Sequence, residues 1–374
     1  MDSTTITTVV TETGTITLDS FEVNIFYAIL LPLLILVAVA MNLITIAAFW
    51  KMPILREEPS ELLILNLACS DLLTGITVLP LVSPLYITPG NWPIGQFGCG
   101  TVVFFMNLST SGSLFALTTI SIDRFLLVYM EYPRYMKTMT RNRVYKTVFV
   151  GWAFALITVV VELSVWEKAK TIDITARNID FEKVCLSPAR RVQAFALAFF
   201  LMLFVFPVVL VCGLSIAFLY QLRLRLQKIR RTHSTVGLPS DNPSRPAESN
   251  SAGPSVSIAI KMPEESVGSQ STSRNSNNGE LDVKNRYLKP GITLVGVVLA
   301  MAICMLPFCF YVIITESGCE QCNKTDVLYG LLLMQFSNAC IDPLIYVLTR
   351  RKVRKFYISV LTKCTANSNF VPRF

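Results

Sequence analysis

The apolar residues of this chain fall in long unbroken runs. They show neither the period-two alternation of a half-buried strand nor the single stripe of a soluble helix. From Leu72 to Ile122 there is no Asp, Glu, Lys or Arg. A helix needs roughly 20 apolar residues to cross the hydrocarbon core of a bilayer. Seven runs meet that length, at about 24–50, 62–86, 97–130, 147–166, 192–222, 290–315 and 327–349. The stretch between the second and third contains Pro80, Pro84, Pro89-Gly90 and Pro93, which predicts a tight hairpin and not one long helix. After the seventh run, Val353, Phe356, Tyr357, Val360 and Leu361 recur among basic residues, which predicts an amphipathic helix lying on the inner leaflet. The expected fold class is therefore an all-α membrane protein, a seven-transmembrane helix bundle with a short cytoplasmic amphipathic helix 8.

Composition supports this. Of 374 residues, 52% are apolar and 16% charged, whereas soluble domains carry about 25% charged residues. Seven is odd, so the termini face opposite sides. One set of loops and termini holds 7 of the 33 Lys and Arg residues and the other holds 26. Cationic loops stay in the cytoplasm, which predicts an extracellular N-terminus and a cytoplasmic C-terminus. The net charge of +8 then reflects topology and contact with anionic membrane lipid, not nucleic acid. The N-terminal stretch has no basic region followed by a short apolar run, so segment one is expected to act as an uncleaved signal-anchor.

The organisation expected is an extracellular tail (1–23), segments one to five (24–222), a largely disordered cytoplasmic loop (223–289), segments six and seven (290–349), and helix 8 with the cytoplasmic tail (350–374). Residues 222–231 alternate basic and apolar and extend segment five. Residues 232–282 are rich in Ser, Pro, Asn and Gly and cannot bury enough apolar surface to order themselves. They form a phosphorylatable linker or a plain tether.

Polar residues inside a membrane are costly and invite a functional explanation. Segment one ends Met41-Asn42-Leu43-Ile44, and segment two holds Asn66-Leu67-Ala68-Cys69-Ser70-Asp71. Segment three starts at Cys99 and closes with Asp123-Arg124-Phe125. Trp152, Phe206-Pro207 and Cys304-Met305-Leu306-Pro307-Phe308 mark segments four, five and six. Segment seven carries Asn338-Ala339-Cys340-Ile341-Asp342-Pro343-Leu344-Ile345-Tyr346. In this order, over all seven segments, the set resembles the rhodopsin-like (class A) G-protein-coupled receptors.

The resemblance implies a plasma-membrane receptor that takes an extracellular ligand and activates a heterotrimeric G protein, with arrestin and receptor kinases as further partners. Asp123-Arg124-Phe125 corresponds to the family's Asp-Arg-Tyr motif, in which Arg124 swings free to meet the G protein. Alone, Arg124 would equally read as an interfacial arginine snorkelling to headgroups. Tyr346 closes the Asp variant of the Asn-Pro-x-x-Tyr motif. Asp71 and Asp342 are two carboxylates in hydrocarbon, and leaving both ionised and unpaired is costly. They share either a cation or a proton. By resemblance the cation is an allosteric sodium ion, with Ser113 and Asn338 as further oxygen ligands and Asn42 nearby.

Cysteines divide by side. Cys99 and Cys185, both expected outside, match the family's bond from segment three to the second outer loop. Cys319 and Cys322 suggest a small disulfide ring, although a lone Cys-x-x-Cys also suits redox chemistry or half a metal site. Cys69, Cys212, Cys304, Cys309 and Cys340 are expected as buried thiols. Cys364 follows the amphipathic stretch and is a palmitoylation candidate. Asn323 heads a glycosylation sequon; Asn107 also matches but lies inside segment three.

Several ligand classes are disfavoured. Monoamine receptors carry an aspartate seven residues after the segment-three cysteine, and here that residue is Met106. Opsins carry a lysine seven residues before the segment-seven proline, and here it is Phe336. By position, Met106, Asn107, Phe308, Tyr311, Gln335 and Phe336 line the pocket. Glu162 either contacts a cationic ligand or lies at the interface. The ligand classes left open are a small molecule, a lipid and a short peptide. Met305 replaces the family's segment-six tryptophan, and Ser215 its segment-five tyrosine. No acid stands at the inner end of segment six, where Tyr287 lies twenty residues before Pro307, so Arg124 is left with Asp123 alone and signalling without ligand is expected. No nucleophile–base pair or phosphate loop marks an enzyme. A transporter or channel, and a scaffold or decoy receptor, are the alternatives to a signalling receptor.

Overall fold

A computed structural model describes residues 9–11, 14–16, 18–87, 92–171, 193–236, 287–316, 322 and 324–368. Seven helices are long and apolar enough to cross a membrane. Segment one is Leu18–Lys51 and segment three is Gly95–Tyr129. Segment four is Arg141–Thr171, segment six Lys289–Glu316 and segment seven Thr325–Thr349. Short helices Pro53–Glu57 and Tyr132–Thr138 follow segments one and three. Pro53 and Pro59 each stand at a helix start, where the missing N–H is no loss and the fixed φ is already helical. A small antiparallel ribbon, Val9–Thr11 with Gly14–Ile16, precedes segment one.

Segments two and five are each interrupted by a π turn. Segment two runs Pro59–Leu73, turns at Thr74–Val78 and resumes as Leu79–Ile87. Segment five runs Gln193–Phe200, turns at Leu201–Val205 and continues as Phe206–Val236. Each π turn ends two residues before a proline, Pro80 and Pro207. A proline inside a helix has no N–H to give, and its ring crowds the carbonyl one turn back; widening that turn relieves both problems. Segment two runs through Pro80 and Pro84 to Ile87, one residue past its expected end, and segment three starts separately at Gly95, so the two are not one long helix, as expected. Segment five extends past the expected boundary to Val236, so the alternating basic stretch is helical as anticipated.

Segment three is the hub, in contact with segments two, four, five and six. Segment seven packs on six, one and two. Close approach is made possible by small residues. A Cβ added at Gly151 of segment four would stand 2.1 Å from the Phe115 ring of segment three. The interior divides into an inner apolar core around Leu67, Leu117, Phe218, Met301 and Tyr346, and an outer one around Leu79, Val103, Phe200, Phe308 and Phe336. Segments one, four and five turn Leu36, Phe149, Ile157, Met202 and Ile216 outward, as expected when the surrounding solvent is hydrocarbon.

The amphipathic helix is Arg351–Ser368. Its apolar face was expected to lie on the leaflet, and the structure divides it. Val353 and Tyr357 are buried, whereas Ile358 and Leu361 are exposed. The Tyr357 hydroxyl is 2.6 Å from Thr45 Oγ1 and donates to the Met41 carbonyl. Burial pushes the Tyr357 hydroxyl up to about 12. This helix is thus pinned to segment one.

Candidate functional site

The polar residues singled out from the sequence form three layers. In the outer layer, Met106, Phe308 and Phe336 belong to the same apolar cluster. Phe308 meets Phe200 edge to face at 6.0 Å, and Phe200 stacks on Phe204. Asn107 and Glu162 are both buried, and Asn107 Nδ2 donates to Glu162 Oε2, tying segment three to segment four. Tyr311 lies at the rim, its hydroxyl donating to the Lys324 carbonyl at 2.9 Å. Gln335 sits deeper, lining a cavity of about 30 Å³ shared with Asp71, Ser113, Asn338 and Met305. That space is about two water probes.

The middle layer is built on segments two, three and seven. Ser113 Oγ donates to Asp71 Oδ1 at 3.3 Å, and Asn338 Nδ2 donates to Asp342 Oδ2 at 3.0 Å. Both carboxylates are buried and lie within hydrogen-bond reach of each other, an arrangement that either a shared proton or a cation satisfies. Asn42 Nδ2 donates to the carbonyls of Ala38 and Ala339, fastening segment one to seven. Five acceptors are left buried without hydrogen-bond partners among the described residues: Asp71 Oδ2, Asp342 Oδ1, Asn338 Oδ1, Asn42 Oδ1 and Gln335 Oε1. Gln335 adds to the set expected from sequence. No group of three or more His, Cys, Asp or Glu residues suited to a metal occurs among the described residues. A site here would therefore rest on two carboxylates with hydroxyl and amide oxygens.

The inner layer opens on a cavity of about 700 Å³ with Arg124 in its wall. Arg124 Nε lies 3.5 Å from Asp123 Oδ2, and both side chains are buried. Tyr135 Oη and Ser60 Oγ donate to Asp123 Oδ1 at 2.8 and 3.3 Å, so the carboxylate is held from two other elements. Burial, with Asp123 beside it, pushes the Tyr135 hydroxyl well above its ordinary range. Phe125 stacks on Tyr129 outside this group. Tyr346 is buried in the inner core.

Two inner contacts were missed from sequence. Glu61, buried at the start of segment two, pairs with Arg350 at the junction of segment seven and helix 8. Glu61 follows Glu58-Pro59, and this helix-start signal placed just before the apolar run could have flagged it. The second joins Arg225 of segment five to Tyr287 of segment six, at 3.2 Å from guanidinium to hydroxyl. Arg124 keeps Asp123 as expected, and Tyr287 makes its cross-helix polar contact with Arg225.

Cys99 and Cys322 each take part in a disulfide; their expected partners Cys185 and Cys319 lie outside the described residues, as does Asn323. Cys364 falls within the helix Arg351–Ser368. Cys304, Cys309 and Cys340 are buried thiols as expected, but Cys69 is exposed and Cys212 half-buried. Cys69 faces outward, where a soft, weakly polar thiol costs little against lipid, whereas Cys212 packs against the edge of the inner apolar core.

The sequence pattern described as 7 transmembrane receptor (rhodopsin family) matches residues 41–346. The cholecystokinin receptor of Xenopus laevis is 24% identical over 80% of this chain and 69% of its own length. The 5-hydroxytryptamine receptor 7 of Xenopus laevis is 24% identical over 92% of this chain and 79% of its own. The D(1C) dopamine receptor of the same species is 24% identical over 89% and 67%.

Proposed function

From the premise that this chain belongs to the rhodopsin family of seven-transmembrane receptors, a cell-surface receptor signalling through G proteins and not an enzyme, we propose how its three layers divide the work. The outer layer takes the extracellular ligand, the middle layer holds a cation, and the inner layer meets the G protein. The observation that carries this is the inner layer: a buried Arg124–Asp123 pair, buttressed by Tyr135 and Ser60, in the wall of a cavity open to the cytoplasmic end. Moving Arg124 off Asp123 presents a cation to an incoming partner helix.

The relatives named for cholecystokinin, 5-hydroxytryptamine and dopamine are equally distant at 24% identity, so similarity does not choose among their ligands. Met106 argues against a typical monoamine, because an ammonium placed there has no carboxylate opposite. Phe336 argues against covalent retinal. The outer layer is mostly aromatic and aliphatic with the Asn107–Glu162 pair at its side, which suits a largely apolar ligand.

The five orphan acceptors of the middle layer fit a hard cation such as sodium. Asp71, Asp342, Ser113 and Asn338 would hold it, and its charge would offset two carboxylates in a low-dielectric interior. The N-terminus faces outside, the C-terminus the cytoplasm, and Cys364 and Asn323 stand as modification sites. Arrestin and receptor kinases are further partners of the cytoplasmic face.

The test is a screen of ligand classes against second-messenger responses in cells expressing the chain. A responding ligand whose effect vanishes in Arg124→Ala at matched surface expression supports the reading. Normal signalling by Arg124→Ala would overturn the role of the inner layer.

A further inference from the structure

Segments three, five and six meet at their cytoplasmic ends through one side chain. Arg225 Nη2 donates to the Met130 carbonyl at 2.9 Å and Nη1 to the Leu127 carbonyl at 3.4 Å. Met130 is the residue that caps segment three, and the last carbonyls of a helix have no partners within it. A guanidinium there satisfies two of them and complements the negative end of the helix dipole. The same guanidinium donates from Nη1 to the Tyr287 hydroxyl at 3.2 Å and lies over the Tyr287 ring at 5.2 Å. Tyr287 is buried at the inner end of segment six and shares the inner core with Leu222 of segment five. Arg124, by contrast, pairs with Asp123 on its own helix.

We propose that the Arg225–Tyr287 contact is the latch that holds segment six against segments three and five in the closed state. The proposal rests on the receptor reading above and adds its regulation. The division of labour follows from geometry. The two carbonyl bonds fix Arg225 to segment three whether or not segment six moves. The hydroxyl and ring contacts are the ones that segment six must give up in order to leave. Only contacts made in one state bias an equilibrium between two, so the latch is the Tyr287 side of the guanidinium. The missing acid at position 287 therefore does not leave the closed state without a polar restraint. The restraint has moved from Arg124 to Arg225, and from an ion pair to a hydrogen bond with cation–π contact.

The experiment uses the full chain, purified into nanodiscs without ligand. Labels carried by unnatural amino acids at the exposed positions Tyr145 and Ile292 report the distance between the inner ends of segments four and six. The variants are Arg225→Ala, Tyr287→Leu and the double. Nucleotide exchange on heterotrimeric G proteins of the major classes is measured in parallel. Each single variant should raise the population with segment six displaced by about fivefold, the scale of one lost partly hydrated contact. The double should do no more than the stronger single, because both remove one interaction. Distance distributions unchanged in Tyr287→Leu would overturn the latch, even if Arg225→Ala altered them, since Arg225 would then be only a helix cap. Effects that multiply in the double would also overturn it. Displacement of segment six without nucleotide exchange on any G protein would support the latch while sinking the signalling role.

Discussion

Glu61→Gln removes one charge from a pair that little water reaches. Glu61 is 3% exposed and the Arg350 side chain 17%. Together they tie the inner end of segment two to the corner between segment seven and helix 8. Cutting a fully buried ion pair costs about 3–5 kcal/mol, because the surviving charge is stranded. Arg350 also lines the large inner cavity, so water can reach it once Glu61 is gone. The Gln oxygen still accepts from the guanidinium, and a hydrogen bond to a charged group recovers part of the loss, so the appropriate figure is about 2 kcal/mol. Arg350 Nε and Nη2 are already buried without hydrogen-bond partners among the described residues, so neither has a bond in place that would absorb the loss. The buried thiols of Cys304, Cys309 and Cys340 supply the assay: their rate of maleimide labelling at one fixed temperature reports opening of the bundle. If the pair parts before the rate-limiting step, about 2 kcal/mol speeds labelling about 30-fold. Arg350→Met alone should act similarly. The double variant should label more slowly than the product of the singles predicts, since the second cut strands no charge. Multiplicative singles, or a Glu61→Gln rate within about twofold of the parent, would refute the reasoning.

Sodium replacing N-methylglucamine at constant ionic strength should slow the same labelling in the parent and not in Asp71→Asn; a retained sodium response in that variant would remove Asp71 from any cation site. Gly151→Ala should destabilise the bundle by about 1–3 kcal/mol, the cost of overpacking a full interface, and Phe115→Leu in the same chain should restore part of it. A neutral Gly151→Ala would mean that segments three and four can part freely. Tyr357 has its hydroxyl raised to about 12 by burial, so the folded state favours its neutral form. The stability this gives is complete below the ordinary tyrosine value of about 10 and is lost as pH rises toward 12. Tyr357→Phe should flatten that alkaline loss in a labelling-rate profile, and an identical profile in both proteins would disprove the link.

The spans were legible because a bilayer demands a minimum length of apolar helix, and a run such as 290–315 leaves little else for the chain to do. The middle and inner polar residues were legible for a related reason: Asp71, Asp123 and Asp342 stand out in surroundings where charge is costly. The prolines marked the end of segment two correctly, but a sequence shows where a hydrogen bond is lost and not how the helix absorbs it, so the widened turns before Pro80 and Pro207 were not legible. Glu61–Arg350 and Arg225–Tyr287 were hidden for another reason. Their partners are 289 and 62 residues apart, so the pairing depends on how the helices are stacked. Neither arginine looks different, in sequence, from the other basic residues around it. The division of the helix 8 face was likewise beyond reach, because Val353 and Ile358 are equally apolar and only the nearby segment one separates their fates.

The two widened turns have a consequence for how the molecule can vary. An α-helix turns about 100° per residue, so a turn holding one extra residue shifts the phase of everything beyond it by about that angle. In segment two, the face presented by Val82, Leu85 and Tyr86 is set by Thr74–Val78 and not by the register of Asp71. Removing one residue from that turn would swing these three side chains toward the lipid and leave the cytoplasmic half where it stands. The outer wall of the bundle is in this sense geared separately from its inner machinery. Substitutions that re-aim the outer half need not disturb the inner half.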